Sequence, residues 1–366
     1  MMNSELGWTD GIYRLNSDKG FHSQMAQMRT RALLKEISEK PPTYNWTYIT
    51  SQVVRNMTGA FFTLQELGEK NPNVLDQLGG LILQLARTWE RLADLGEGVS
   101  SETAIMNAAV MYELAGFQAN AVCLSRKLRV DFSEIKKPTV NELTSAFMQR
   151  LFLQLRFLAQ TAQVEPQTNE ITQISLSNAL YLGVCAKAFE QAGYYFLRGD
   201  IRSLELAEKY FRTSERAFAE QGYVVEANLI RSTRSLLPVM TQRSTWAAFE
   251  TAAKDNPRWR RYLKLLARGI GSDMLRSPSI SELWPSQTLA VANGLLDTNS
   301  SKIIRMPTSA GKTRVAELAI VHTLATIPNA KCVYIAPYRA LVSELEQAFL
   351  NLFGDLGFQV TSIVGG

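Results

Sequence analysis

Residues 306–313 read Met-Pro-Thr-Ser-Ala-Gly-Lys-Thr, a spacing suited to holding a string of phosphates. Backbone N–H groups from Ser309 to Thr313 can wrap a triphosphate, and a helix that follows points its positive end at the same place. Lys312 brings a compact charge to the β- and γ-phosphates, and the Thr313 hydroxyl can join the shell of a Mg²⁺ ion. Gly311 is needed because a side chain there would crowd the phosphates. The strict phosphate-loop pattern begins with glycine, where this chain has Met306. The competing reading is a chance Gly-Lys-Thr on a turn.

Such a loop has to be positioned by its neighbours, and the residues around it alternate short apolar runs with longer helical ones. SKIIRM (301–306), KCVYIAP (331–337) and FQVTSIV (358–364) read as strands, while 311–327 and 339–356 read as helices. That βαβαβ order predicts a parallel sheet with right-handed crossovers.

Upstream the pattern is different. From about Glu36 to Ile270 the sequence keeps helical spacing, with Leu81, Leu85, Trp89 and Leu92 on one face of 78–96. Phe147, Leu151, Leu155 and Leu158 line a face of 146–163. Trp89, Leu155 and Phe189 are predicted core residues. Short glycine-containing turns favour antiparallel helical neighbours. Tyr112-Glu-Leu-Ala-Gly116 and Tyr195-Phe-Leu-Arg-Gly199 share a Y-x-L-x-G pattern, so the front is either a bundle or a set of repeat-like helix pairs. The Ser/Pro-punctuated stretch 277–287 marks a junction. The expected organisation is a helical domain over 1–275, a junction over 276–287 and a partial α/β phosphate-loop domain over 288–366.

Composition narrows the class. Thirty-nine Lys and Arg against 34 Asp and Glu give a formal charge of +5, a mild tilt toward polyanionic partners. Cys123, Cys185 and Cys332 form neither a disulfide framework nor a zinc spacing, which suits a reducing compartment. The only histidines are His22 and His322, too few for a histidine metal site. The N-terminus lacks a signal-peptide pattern and no apolar run is long enough to span a bilayer. A cytoplasmic protein without membrane partners is the expectation.

Met306 to Thr313, followed by Arg-x-Ala-Glu-Leu-Ala-Ile, resembles motif I of superfamily 2 DEAD/DEAH-box helicases, and most closely their Ski2-like branch. Leu283-Trp-Pro-Ser-Gln287 resembles the Q motif of that superfamily, and Ala336-Pro-Tyr-Arg-Ala-Leu341 resembles motif Ia. The resemblance implies a RecA-like lobe using ATP and Mg²⁺. Gln287 would read the adenine edge, since one amide both donates and accepts. Pro307, Thr308, Ser309, Ala310, Gly311, Lys312 and Thr313 would hold the phosphates and the metal. Pro337, Arg339 and Ala340 would contact a nucleic-acid backbone without reading its sequence. Gly365-Gly366 falls where such helicases often carry a glycine pair.

No D-E-x-D/H sequence, the motif that aligns Mg²⁺ and water in these helicases, occurs in the 366 residues, and no complete catalytic set is recognisable. The expectation is therefore the front part of an ATP-dependent nucleic-acid helicase or translocase. The alternative is a helical protein-interaction or regulatory module carrying an inert partial lobe. One further element bears on nucleic acid. Residues 254–269 hold six basic residues and one acid, with Arg261, Lys264 and Arg268 on one helical stripe. They suit either strand phosphates or plain solvation of a packing helix.

Overall fold

A computed structural model describes residues 2–38, 47–70, 73–96, 98–128, 130–132, 135–162, 173–270, 279–307, 310–336 and 338–363. The chain divides into two compact units, Met1–Gly193 with Arg202–Met240, and Tyr194–Ile201 with Thr241–Gly366.

Among the described residues of the first unit, every regular element is a helix. Its longer elements include Lys19–Ile37, Thr47–Lys70, Gly79–Leu95, Ser101–Leu114 and Val224–Gln242. Local signals set their ends. Asp18 accepts from the N–H groups of Gly20 and Phe21, Ser100 caps the next turn from Thr103, and Thr139 with Glu142 closes a capping box. The expected apolar faces are buried apart from a partly exposed Leu151, and Trp89, Leu155 and Phe189 are in the core. Arg234 ties three helices together, bonding Glu69 at 2.7 Å and Glu215 at 2.9 Å.

The helix expected over 146–163 is two helices, Val140–Met148 and Phe152–Ala162. Arg150 breaks them with a left-handed backbone, φ 59°. Its guanidinium donates to the Met148 carbonyl and to the buried Glu113 carboxylate at 2.6 Å. A buried carboxylate left without its cation is costly, so this pair outweighs continuation of the helix. The two Y-x-L-x-G stretches are helix stops. Gly116 and Gly199 both take positive φ, and at Gly199 a Cβ would lie 2.4 Å from the Trp246 ring.

The second unit has its core between helices. Phe249, Trp259, Tyr262, Leu263 and Leu266 pack with Val315, Leu318 and Val321 of Lys312–Thr326 and with Phe349, Leu352 and Phe353 of Arg339–Asp355. The two rear helices stand close to their expected bounds. The expected parallel sheet does not form. Among the described residues there is no strand, and the single pairing is an isolated antiparallel bridge between Ser244 and Glu282. Residues 301–306, 331–336 and 358–363 are irregular, with Ile303 95%, Val333 86%, Ile335 88% and Ile363 91% exposed. A helix closes its own hydrogen bonds, whereas a strand exists only through a partner, and a parallel sheet also needs both faces covered. These runs have neither. Among the described residues no helix is long and apolar enough to cross a membrane.

Candidate nucleotide site

Past the irregular 301–307 stretch, the Ala310 N–H donates to the Pro307 carbonyl. Gly311 then N-caps the helix Lys312–Thr326 in the left-handed conformation, φ 81°. Two junction residues hold this start. Ser286 Oγ donates to the Ala310 carbonyl at 3.0 Å. Gln287 is buried, its Oε1 accepting from the Trp284 N–H at 3.0 Å and its Nε2 lying against Gly311.

A Cβ on residue 311 would sit 2.3 Å from Gln287 Nε2. Glycine is therefore favoured by the backbone angle, and any Cβ would also force the Gln287 amide to move, in addition to any ligand. Gly311→Ala is expected to destabilise the unit by at least about 1–2 kcal/mol from the left-handed backbone alone. Urea unfolding would test this, and an unchanged midpoint would show that the loop and Gln287 give way freely.

Lys312 and Thr313 open the helix with exposed side chains. Beside them lies a cavity of about 630 Å³ lined by Ile304, Arg305, Met306, Pro307 and Lys312. Its two cations and the helix start suit a polyphosphate, so the residues fit the nucleotide that the sequence motif implies. Arg305 carries no motif signal of its own, although it directly precedes the loop. Thr308, Ser309, Pro337, Gly365 and Gly366 lie outside the described residues. Arg339 and Ala340 begin the helix Arg339–Asp355 after Tyr338.

The loop helix is also gripped from upstream, by contacts that no motif signals. Tyr262 donates its phenol to Glu317 Oε1 at 2.7 Å, and Arg314 pairs with the same carboxylate. Burial pushes the Glu317 carboxyl above the usual range, with Arg314 and then Tyr262 pulling it back. Burial, then the neighbouring Glu317, drives the Tyr262 phenol well up. Asn256 Nδ2 and Arg258 Nη1 each donate at 3.0 Å to the last-turn carbonyls of Ala325 and Leu324. Arg314 and Glu317 stand in the Arg-x-Ala-Glu stretch after the loop and at i, i+3 spacing, whereas nothing in the sequence points to Asn256, Arg258 or Tyr262.

These contacts come from Pro257–Arg268 and the cap before it. That helix turns Trp259, Tyr262, Leu263 and Leu266 inward and leaves Arg261, Lys264 and Arg268 exposed on the opposite side. Arg258 and Arg260 are engaged with backbone carbonyls.

With this geometry in view, residues 284–366 match the DEAD/DEAH box helicase family. That segment is similar to the N-terminal part of superfamily 2 helicase domains of the Ski2-like kind. The chain is 33% identical over 97 residues to the ATP-dependent DNA helicase Hel308 of Methanocaldococcus jannaschii, covering 25% of this chain and 8% of that protein. It is 41% identical over 86 residues to the RQC trigger complex helicase SLH1 of Saccharomyces cerevisiae, covering 22% and 4%. It is 26% identical over 239 residues to the Hachiman protein HamB of Bacillus cereus, covering 62% and 20%. The HamB match is longer than the family segment, so it includes part of the helical front. The matched parts of this chain span a fifth or less of each of these relatives.

Proposed function

We propose that this chain is the N-terminal portion of an ATP-dependent nucleic-acid helicase or translocase. The observation that carries the reading is the solvent-open Lys312 and Thr313 at a helix start beside a cation-lined cavity, within the segment matching the helicase family. ATP, when bound, would supply the phosphate chain and, on hydrolysis with Mg²⁺, the energy for movement. Lys312 and Arg305 would neutralise phosphate charge, Thr313 would contribute its hydroxyl to the metal, and Gly311 would let the backbone approach closely. Gln287 retains amide hydrogens and one Oε1 lone pair for an adenine edge while it holds the loop. Pro337, Arg339 and Ala340 are assigned to the strand backbone by their motif alone.

The exposed Arg261, Lys264 and Arg268 extend the proposed strand-binding surface, since no carboxylate pairs with them among the described residues. The test is fluorescence anisotropy of a labelled single strand titrated with the chain at several salt concentrations. Replacing all three with Ala should flatten the log affinity against log salt slope by about 2, at roughly 0.7 for each single-strand phosphate no longer neutralised. An unaltered slope would leave the stripe a solvated face. Failure of the parent chain to bind any strand would count against the helicase reading.

A further inference from the structure

We propose that the arginine-lined cavity of the first unit, formed by Arg29 and Arg87, is a binding site for a phosphate group. The cavity is about 450 Å³, large enough for a phosphate carrying a nucleoside. It opens where the helices Lys19–Ile37 and Gly79–Leu95 pack together, with Tyr112 of Ser101–Leu114 contributing to its wall.

The charges around it are unevenly satisfied. Arg91 is shared between Glu36 and Asp94, at 3.4 Å each. Glu90 is the only carboxylate lining the cavity among the described residues, and both its oxygens are engaged. Oε2 accepts from the Tyr112 phenol at 2.7 Å, and Oε1 faces Lys127 at 3.8 Å. Arg29 has only a neutral partner, Thr88 Oγ1 at 2.7 Å, whose own hydrogen goes to the Gln84 carbonyl. Arg87 forms no ion pair among the described residues.

Of the three guanidinium groups lining the cavity, two, Arg29 and Arg87, thus have no carboxylate paired with them among the described residues. Burial, and then the charge of Arg87, lowers the Arg29 pKa. An oxyanion placed between them relieves the repulsion and uses the forked N–H groups that match phosphate oxygens. A phosphate suits the site better than a single carboxylate because it offers several acceptor oxygens to two forks at once. The group could sit on a free nucleotide or on a nucleic-acid strand, and the experiment separates these.

The measurement is isothermal titration at low salt of AMP and, separately, of a short oligothymidylate into the chain carrying Lys312→Ala. That substitution weakens the phosphate loop without removing it, and only the binding lost on replacing Arg29 or Arg87 is read, so failure of the nucleotide reading above leaves this test intact. Either Arg29→Gln or Arg87→Gln should weaken binding about tenfold and the pair about a hundredfold, as expected for charge-assisted bonds. Arg216→Gln, an exposed residue away from the cavity, serves as control and should change nothing. Loss confined to the oligothymidylate assigns the site to a strand, and loss of AMP binding assigns it to a nucleotide. Because Arg87 is exposed, Arg87→Gln should fold, and it should hold or raise the melting temperature by removing repulsion. Absence of binding by the Lys312→Ala chain, affinities untouched by the double substitution, or a lowered melting temperature with affinity intact would each overturn the proposal.

Discussion

ATP affinity is expected to fall about ten- to a hundredfold when Lys312 is replaced by Ala. The ammonium group stands exposed at the first turn of Lys312–Thr326, beside the cavity that Arg305 also lines. A hydrogen bond to a charged group is worth about 1.5–3 kcal/mol, and each 1.4 kcal/mol is about tenfold in Kd. Arg305 and the helix start remain, so binding should weaken and not vanish. Hydrolysis is a separate matter. It needs acidic metal ligands and an oriented water, and an arginine finger alone is worth about 10³ to 10⁵ in rate. No D-E-x-D/H sequence is present in these 366 residues, so phosphate release by this chain should stay at background. Equilibrium binding of a fluorescent ATP analogue, alongside phosphate release, checks both. Turnover abolished by Lys312→Ala would mean that a catalytic acid lies within these residues outside any D-E-x-D/H sequence.

Removing the other cation of the loop helix should damage folding instead. Arg314→Ala leaves the Glu317 carboxylate buried with Tyr262 as its only remaining side-chain donor in the triad. Breaking a buried ion pair from one side costs about 3–5 kcal/mol. The effect should depend on pH, and its sign follows from Glu317. Its folded pKa is raised, so its contribution is fully present below the unfolded value of about 4.3 and is lost as pH rises through the folded pKa. Without Arg314 that pKa rises further. The destabilisation should therefore be larger at pH 8 than at pH 5, where the carboxyl can take a proton. Urea midpoints of Arg314→Ala and of Arg314→Ala with Glu317→Gln would show it, with the double variant recovering much of the loss. A small, pH-independent difference would mean that water reaches Glu317 and the triad is not sealed.

Helices and loop were legible because their signals are local. Caps such as Ser100, the stop at Gly199 and the apolar spacing around Trp89 all lie within a few residues of what they control. The strands were not legible in the same way. KCVYIAP has strand composition, but whether Val333 and Ile335 enter a sheet depends on partners that no local pattern encodes. The break at Arg150 was hidden because Glu113 lies 37 residues away. At the site, Gly-Lys-Thr and Gln287 stood out by motif. Tyr262 did not, since it meets Glu317 across 55 residues. The likeness of the helical front to HamB was also hidden, because it rests on diffuse similarity without a short chemical pattern.

The upstream grip on the loop helix limits how this gene could be cut and rejoined. Asn256, Arg258 and Tyr262 precede the helicase-family segment, yet they close the last turn of Lys312–Thr326 and satisfy its buried carboxylate. A crossover at Trp284 would carry the nucleotide loop to a new host without them. Leu318 and Val321 would be stripped of their Trp259 and Leu263 neighbours, and Glu317 of its phenol. The portable module, in the sense of a piece that can be exchanged whole, begins earlier than its motifs, since the second compact unit takes in Thr241 onward together with Tyr194–Ile201, where Trp246 Nε1 donates to the Phe196 carbonyl.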